Sequence, residues 1–298
     1  MTPRRRSPSS RMALVRARLE LPTIRRAVGH SEGQHASMFT GHGIDFEDQV
    51  EYRPGDDVSS IDWKSSARAG HPIIRRFERE SDVFTQLVLD MGVEMLASAP
   101  SGERKSEIAL WAADVLAYLG SSRGDRLGLV WGDRDMNQAL PARHGHDHLE
   151  FLLNRAAQAY EEATAPADVS GLLERVLTLT RLRTLIVLVT DEAWPTKDDL
   201  DTLRKVRARH ELLVVRVADM PMTVKGVDRM IDINEGVVLP AFAREDPELA
   251  RMLFQYRQTT INEAHQLLRG LGITQTVVNS SDEVVPFLVD MLRRGTRD

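Results

Sequence analysis

The sequence has no cysteine, which excludes disulfides, thiolate zinc sites and cysteine nucleophiles, and which fits a reducing cytosol. Long apolar runs are missing too. The strongest, Leu185 to Val189, falls far short of the roughly 20 apolar residues a helix needs to cross a bilayer. The first residues stay basic through Arg25 and Arg26 without the apolar stretch of a secretory signal. A cytoplasmic protein without membrane insertion is expected. No G-x-x-x-x-G-K-[ST] loop, G-x-S-x-G elbow, H-E-x-x-H pair or Rossmann glycine fingerprint occurs. Any energy coupling must therefore come from a partner.

What is present is enough for a real core, since 42% of the 298 residues are hydrophobic. The formal charge of -5 is uneven: residues 1–30 carry eight arginines against Glu20 alone, a balance of +7, and the remainder carries -12. A basic arm on an acidic body is first a solvated tail and second a nucleic-acid contact. Nucleic acid is not the expected partner, because the body repels the same backbone and no aromatic residue interleaves the first 30 positions to stack on bases.

Three regions follow from the pattern. Residues 1–30 form the basic arm, disordered at first and then with a helix plausible from Met12 to Val28, interrupted by Pro22. Residues 31–82 form a Gly-, His- and Asp-rich segment of loops with short extended pieces. From 83 to 298 strands alternate with helices. Phe84 to Leu89, Arg126 to Trp131, Thr184 to Val189, Glu211 to Val217 and Ile273 to Val278 read as buried strands. Helices are predicted at 103–120, 147–160, 170–181, 197–209, 246–269 and 283–294. In the first of these Ile108, Trp111, Ala112, Val115, Leu116 and Leu119 make one apolar stripe. Strands separated by helices need crossovers, so the fold class is α/β with a doubly wound, mostly parallel sheet and helices on both faces. The insert from Asp219 to Leu239 elaborates that plan.

Ligands in such sheets sit beyond the carboxyl ends of the strands, which points to Asp90 to Glu94 and to Thr190 to Glu192. Asp90 and Asp191 end two strands, where carboxylates suit a hard cation such as magnesium. The plainer expectation is that Asp90 caps the next turn and Asp191 the next helix. His144, His146 and His148 with Asp147 offer transition-metal ligands, a compositional signal only.

The densest stretch runs from Gly41 to Glu80. Pro54 and Gly55 suit a type II turn after Tyr52. Asp56, Asp57 and Asp62 are expected to pair with Arg68 and Arg75 as a charged clasp, with partner docking as its second reading. Trp63, beside the β-branched Ile61, is expected to be buried in that clasp.

The run Asp45-Phe46, Tyr52, Pro54-Gly55-Asp56-Asp57, Ile61-Asp62-Trp63, Ser66-Ala67-Arg68 and Phe77-Glu78-Arg79-Glu80 strongly resembles the bacterial domain of unknown function 58 family. The likeness extends through Lys105 and Gly124 to Leu129 as far as Thr190-Asp191. It implies a von Willebrand factor A-like fold and a non-catalytic adaptor that works with a MoxR-type AAA+ ATPase on a client protein. Arg68, Asp56, Asp57 and Arg75 are then partner-binding candidates. Tyr52, Pro54, Gly55, Asp62 and Trp63 are signature positions. The metal pattern implied for an A-domain is Asp-x-Ser-x-Ser, but here Gly92 and Glu94 hold the serine slots. Asp90, Glu94 and Asp191 are what is left of it, with Thr164 or Ser170 as the threonine, so no cofactor is expected and magnesium is the one ion with any room. Arginines implied near Val50 and Ser59 are missing. The rival enzymatic reading is a metal-assisted hydrolase at the same three acids, without a recognisable nucleophile and base.

Overall fold

In a computed structural model the described residues are 46–51, 62–78, 84–122, 124–221, 230–231, 233, 238–239 and 246–295. The basic arm and signature positions Tyr52, Pro54, Gly55, Asp56 and Asp57 lie outside them.

The signature segment contributes strand β1 (Phe46–Glu51), helix α1 (Trp63–Ala69) and strand β2 (Ile73–Glu78), the two strands pairing antiparallel along their whole length. The extended piece within 29–60 is thus a full six-residue strand, longer than its composition suggests. Asp62 makes α1 start where it does: its carboxylate accepts from the backbone N–H groups of Lys64 (3.0 Å) and Ser65 (3.2 Å) and from the Ser65 hydroxyl (2.8 Å). Gly70 ends the helix in the left-handed region, with φ of 77°.

The main body is built from β3 (Phe84–Asp90), α2 (Lys105–Ser122), β4 (Arg126–Gly132), β5 (Asn137–Arg143), α3 (His146–Glu161), α4 (Val169–Leu179), β6 (Leu185–Asp191), α5 (Leu200–Arg209) and β7 (Glu211–Val217). A two-residue hairpin follows, β8 (Met230–Ile231) with β9 (Val238–Leu239), inside the 219–239 insert. Helix α6 (Pro247–Gly270), strand β10 (Thr274–Val278) and helix α7 (Ser281–Gly295) complete the body.

Six strands form one sheet in the order β10-β7-β6-β3-β4-β5, parallel except for the edge strand β5. This is the doubly wound, mostly parallel sheet with helices on both faces that the sequence leads one to expect. All five predicted strands are present. Strand β5 is the one that period-2 reasoning misses: it is largely exposed, contains Pro141 and sits at an edge, where a missing N–H costs no ladder bond.

Side chains alternate across the central strands and divide the core in two. Leu87, Leu89, Leu129, Val187, Val189, Leu213 and Val215 pack under α2, α3 and α7, meeting Ile108, Ala112, Val115, Leu152 and Leu288. Val88, Val130, Ile186, Leu188, Leu212 and Val214 face the other way, against Leu172, Leu173 and Val176 of α4, Leu203 and Val206 of α5 and Leu268 of α6. Burial on both faces explains why these strands read as continuous apolar runs.

Candidate functional site at the carboxyl edge of the sheet

The chain leaves β3 toward β4 on one side and returns to β6 on the other, so the winding direction reverses between β3 and β6. A crevice forms at such a reversal. The last register pair there is Leu89 with Val189, and the next residues are Asp90 and Thr190, both fully buried.

Asp90 spends both oxygens inside the protein. Oδ1 accepts from the Gly92 backbone N–H (2.9 Å) and Oδ2 from the Thr190 hydroxyl (2.7 Å). Burial is the main force that pushes its carboxyl up to about 6, opposed by those two hydrogen bonds and assisted by the nearby charges of Asp191 and Glu94. The buried Tyr160 phenol of α3 is pushed well above its usual range, by burial first and by the charge of Asp90 second.

Asp191, one position on from Thr190, turns to the α2 side. Its Oδ1 accepts from the Ala193 N–H (2.6 Å), a local cap, and its Oδ2 pairs with Lys105 Nζ. The same ammonium reaches Asp219 Oδ1 at 2.6 Å, just beyond the end of β7. The Lys105 side chain has no solvent exposure. Burial alone would pull its pKa down, but Asp191 and Asp219 together hold it above the ordinary lysine value. Asp219 is pushed up to about 6, chiefly by burial and then by Asp191, against the pull of Lys105.

A second cationic layer lies beside the first. Arg257 of α6 binds Glu192 Oε1 through Nε (2.7 Å) and its terminal nitrogen (2.6 Å), and also the Asp219 carbonyl. Arg216 of β7 is 1% exposed and donates to the Glu192 carbonyl at 2.8 Å. Lys105, Arg216 and Arg257 thus hold Asp191, Glu192 and Asp219, acids that would repel one another at two adjacent strand ends.

Glu94 is turned away from this row. Its Oε2 accepts from the Ala167 N–H at 3.2 Å, while Val93 N–H donates to the Ala165 carbonyl at 3.0 Å, so the loop before α4 lies tightly over Gly92. A Cβ at position 92 would come within 2.6 Å of the Ala167 nitrogen and would also strike the Glu94 carboxylate. Glycine is required there for room, since its φ of -57° suits any residue. Gly92→Ser, which would restore the first serine of the metal pattern, is expected to cost about 1–3 kcal/mol by overpacking. A thermal melt showing no loss would contradict this close approach.

Of the acids singled out in the sequence, Asp90, Glu94 and Asp191 are therefore each engaged internally. Among the described residues no group of three or more His, Asp or Glu side chains is disposed to hold a metal ion. Neither candidate threonine substitute reaches Asp90: Thr164 is exposed, and Ser170 bonds Asp199 at 2.6 Å. Thr190 supplies that hydroxyl instead. The His144 to His148 stretch lines an open depression of about 520 Å³ with Arg143 and Phe151. There His144 accepts from Arg126 (2.8 Å) and His148 lies 3.0 Å from the Leu127 carbonyl.

The expectation that Trp63 is buried is overturned. It is 72% exposed, at the first position of a seven-residue helix with no buried residue, and it is Asp62 that the local fold buries, as the cap. Arg68, in the last turn of that helix, is exposed. Arg75 lies on β2, paired in register with Gln49.

Comparison with known proteins places these features. A family model described as "Protein of unknown function DUF58" matches residues 48–258. Uncharacterized proteins of Mycobacterium bovis and Mycobacterium tuberculosis are 30% identical over 213 residues, which is 70% of this chain and 66% of theirs. The chain thus spans just under two thirds of those relatives' length. Among solved structures, an aerotolerance-related membrane protein from Bacteroides fragilis aligns with a TM-score of 0.44 and 15% identity, over 71% of this chain and 99% of that one. A von Willebrand factor type A protein from Catenulispora acidiphila aligns at 0.40 and 11%, over 76% and 44%. Among the described residues no helix is long and apolar enough to cross a membrane. From the signature strands through the carboxyl edge to the middle of α6, the chain belongs to the DUF58 family.

Proposed function

We propose that the chain is a non-catalytic adaptor whose signature helix docks a MoxR-type AAA+ ATPase or its client. The observation that carries this reading is the exposure of both Trp63 and Arg68 on a helix that buries nothing of its own. Tryptophan and arginine are the residue types most enriched at the centres of protein interfaces. The internal pairing of the carboxyl-edge acids supports binding over chemistry, since a hydrolase would need carboxylates free to position a water.

Trp63→Ala and Arg68→Ala are each expected to leave stability within about 0.5 kcal/mol, as at ordinary surface sites. Each should weaken capture of the ATPase by tenfold or more, about 1.4 kcal/mol. Capture is measured with purified proteins, with and without ATP. Wild-type protein that captures no AAA+ ATPase in either condition removes the reading, and so do variants that bind as tightly as wild type.

A further inference from the structure

We propose that the ammonium of Lys105 is a built-in substitute for a divalent cation, holding the carboxyl-edge acids together without metal. Three independent features of the edge converge on it. First, the ammonium is wholly buried and bonded to Asp191 and Asp219, which come from the ends of different strands. It stands at the first residue of α2, the end where the helix dipole disfavours a cation, so the carboxylates and not the helix retain it.

Second, each oxygen of Asp90 already accepts a hydrogen bond, from Gly92 or from Thr190, so an ion would have to share both. Third, position 92 has no space for a serine, and Glu94, which stands in the second serine slot, already has one of its oxygens bonded to the Ala167 backbone. A magnesium ion takes near-octahedral oxygen ligands, and here it would have to enter beside a buried positive charge. The residues do not fit the ion that the A-domain pattern implies. They fit a lysine.

The consequence for recognition rests on the adaptor reading. With no divalent cation held at this edge, capture of the ATPase in the absence of nucleotide should withstand a chelator.

The test is a set of thermal melts of the full chain in millimolar Mg2+ or in EDTA. Wild-type protein should melt at the same temperature in both, within about 1 °C, because an ion that does not bind the native state shifts nothing. Lys105→Ala, which opens the space and leaves two carboxylates unpaired, should melt lower in EDTA and recover several degrees in Mg2+. Should that variant refuse to fold, its refolding yield in Mg2+ against EDTA gives the same readout, and Lys105→Ser, which adds a hydroxyl, provides a second variant. Wild-type protein stabilised by Mg2+ overturns the proposal. So do alanine and serine variants that both ignore the ion. These melts involve no partner, so failure of ATPase capture would sink the adaptor reading and leave this result standing.

Discussion

Lys105→Met is expected to destabilise the protein by about 3–5 kcal/mol, because it fills the volume of the side chain but leaves Asp191 and Asp219 without the cation that bonds both. Breaking one partner of a buried pair costs more than the pair contributes, since Asp191, 14% exposed, is already largely out of water, while Asp219, 39% exposed, is screened by solvent and adds less. The pairing is strongest where Lys105 is ionised. Its folded pKa lies above the ordinary value, so the contribution is complete at neutral pH and fades only as pH rises through the alkaline range. Urea unfolding should show a lower midpoint with an unchanged slope, the sign of lost stability without a changed native surface. Adding Asp191→Asn and Asp219→Asn to the methionine variant should recover much of the loss, since neutral amides do not repel. Additive losses in the triple variant would show that the three residues do not act as a unit.

The five parallel strands and the helices between them were legible from period; the exposed edge strand β5 was not. Strands such as Leu185–Asp191 are buried on both faces and announce themselves as apolar runs. The stripe from Ile108 to Leu119 declares its helix by its spacing. Asp90 and Asp191 were legible as strand-end acids; Asp90 caps the next turn through Gly92, whereas Asp191 caps only the local turn at Ala193 and the next helical element is capped by Thr196. Lys105 was not legible as their counter-ion, because it lies 86 residues from Asp191 and 114 from Asp219. A lone lysine at a helix start looks like any solvated charge. One signal was available: Asp191, Glu192 and Asp219 follow the ends of two neighbouring strands, and so many acids at one edge demand a cation from somewhere. Trp63 was misread for the opposite reason. A β-branched neighbour suggested burial, but a helix of seven residues held by its Asp62 cap and by Ser66 against the Ile73 backbone leaves its first side chain outside.

Asp90→Asn is expected to stabilise the protein at neutral pH and to remove a pH dependence that the wild type carries. In the unfolded chain Asp90 loses its proton near its ordinary value of 3.8, whereas in the fold burial holds it to about 6. Between those values the folded state binds more protons than the unfolded one, so stability falls as pH rises through the window and levels off above it. The gap corresponds to roughly 3 kcal/mol, the cost of keeping an ionised carboxylate at a fully buried site. Asn keeps the geometry: its carbonyl oxygen accepts from the Gly92 N–H, and its amide donates to the Thr190 oxygen after the hydroxyl turns. It carries no charge to repel Asp191 and Glu94 or to disfavour ionisation of Tyr160. Asp219 titrates with the same sign in the same range, so the wild-type curve alone cannot isolate Asp90. The difference between variant and wild type can, because every other group is common to both. Urea midpoints taken from pH 4 to pH 7.5 should coincide at the acid end and separate by about 2–3 kcal/mol at the neutral end, the variant being the more stable. A separation that stays constant with pH would mean that Asp90 titrates alike in both states. A variant less stable than wild type at neutral pH would mean that the ionised carboxylate is held by its hydrogen bonds more strongly than burial opposes it.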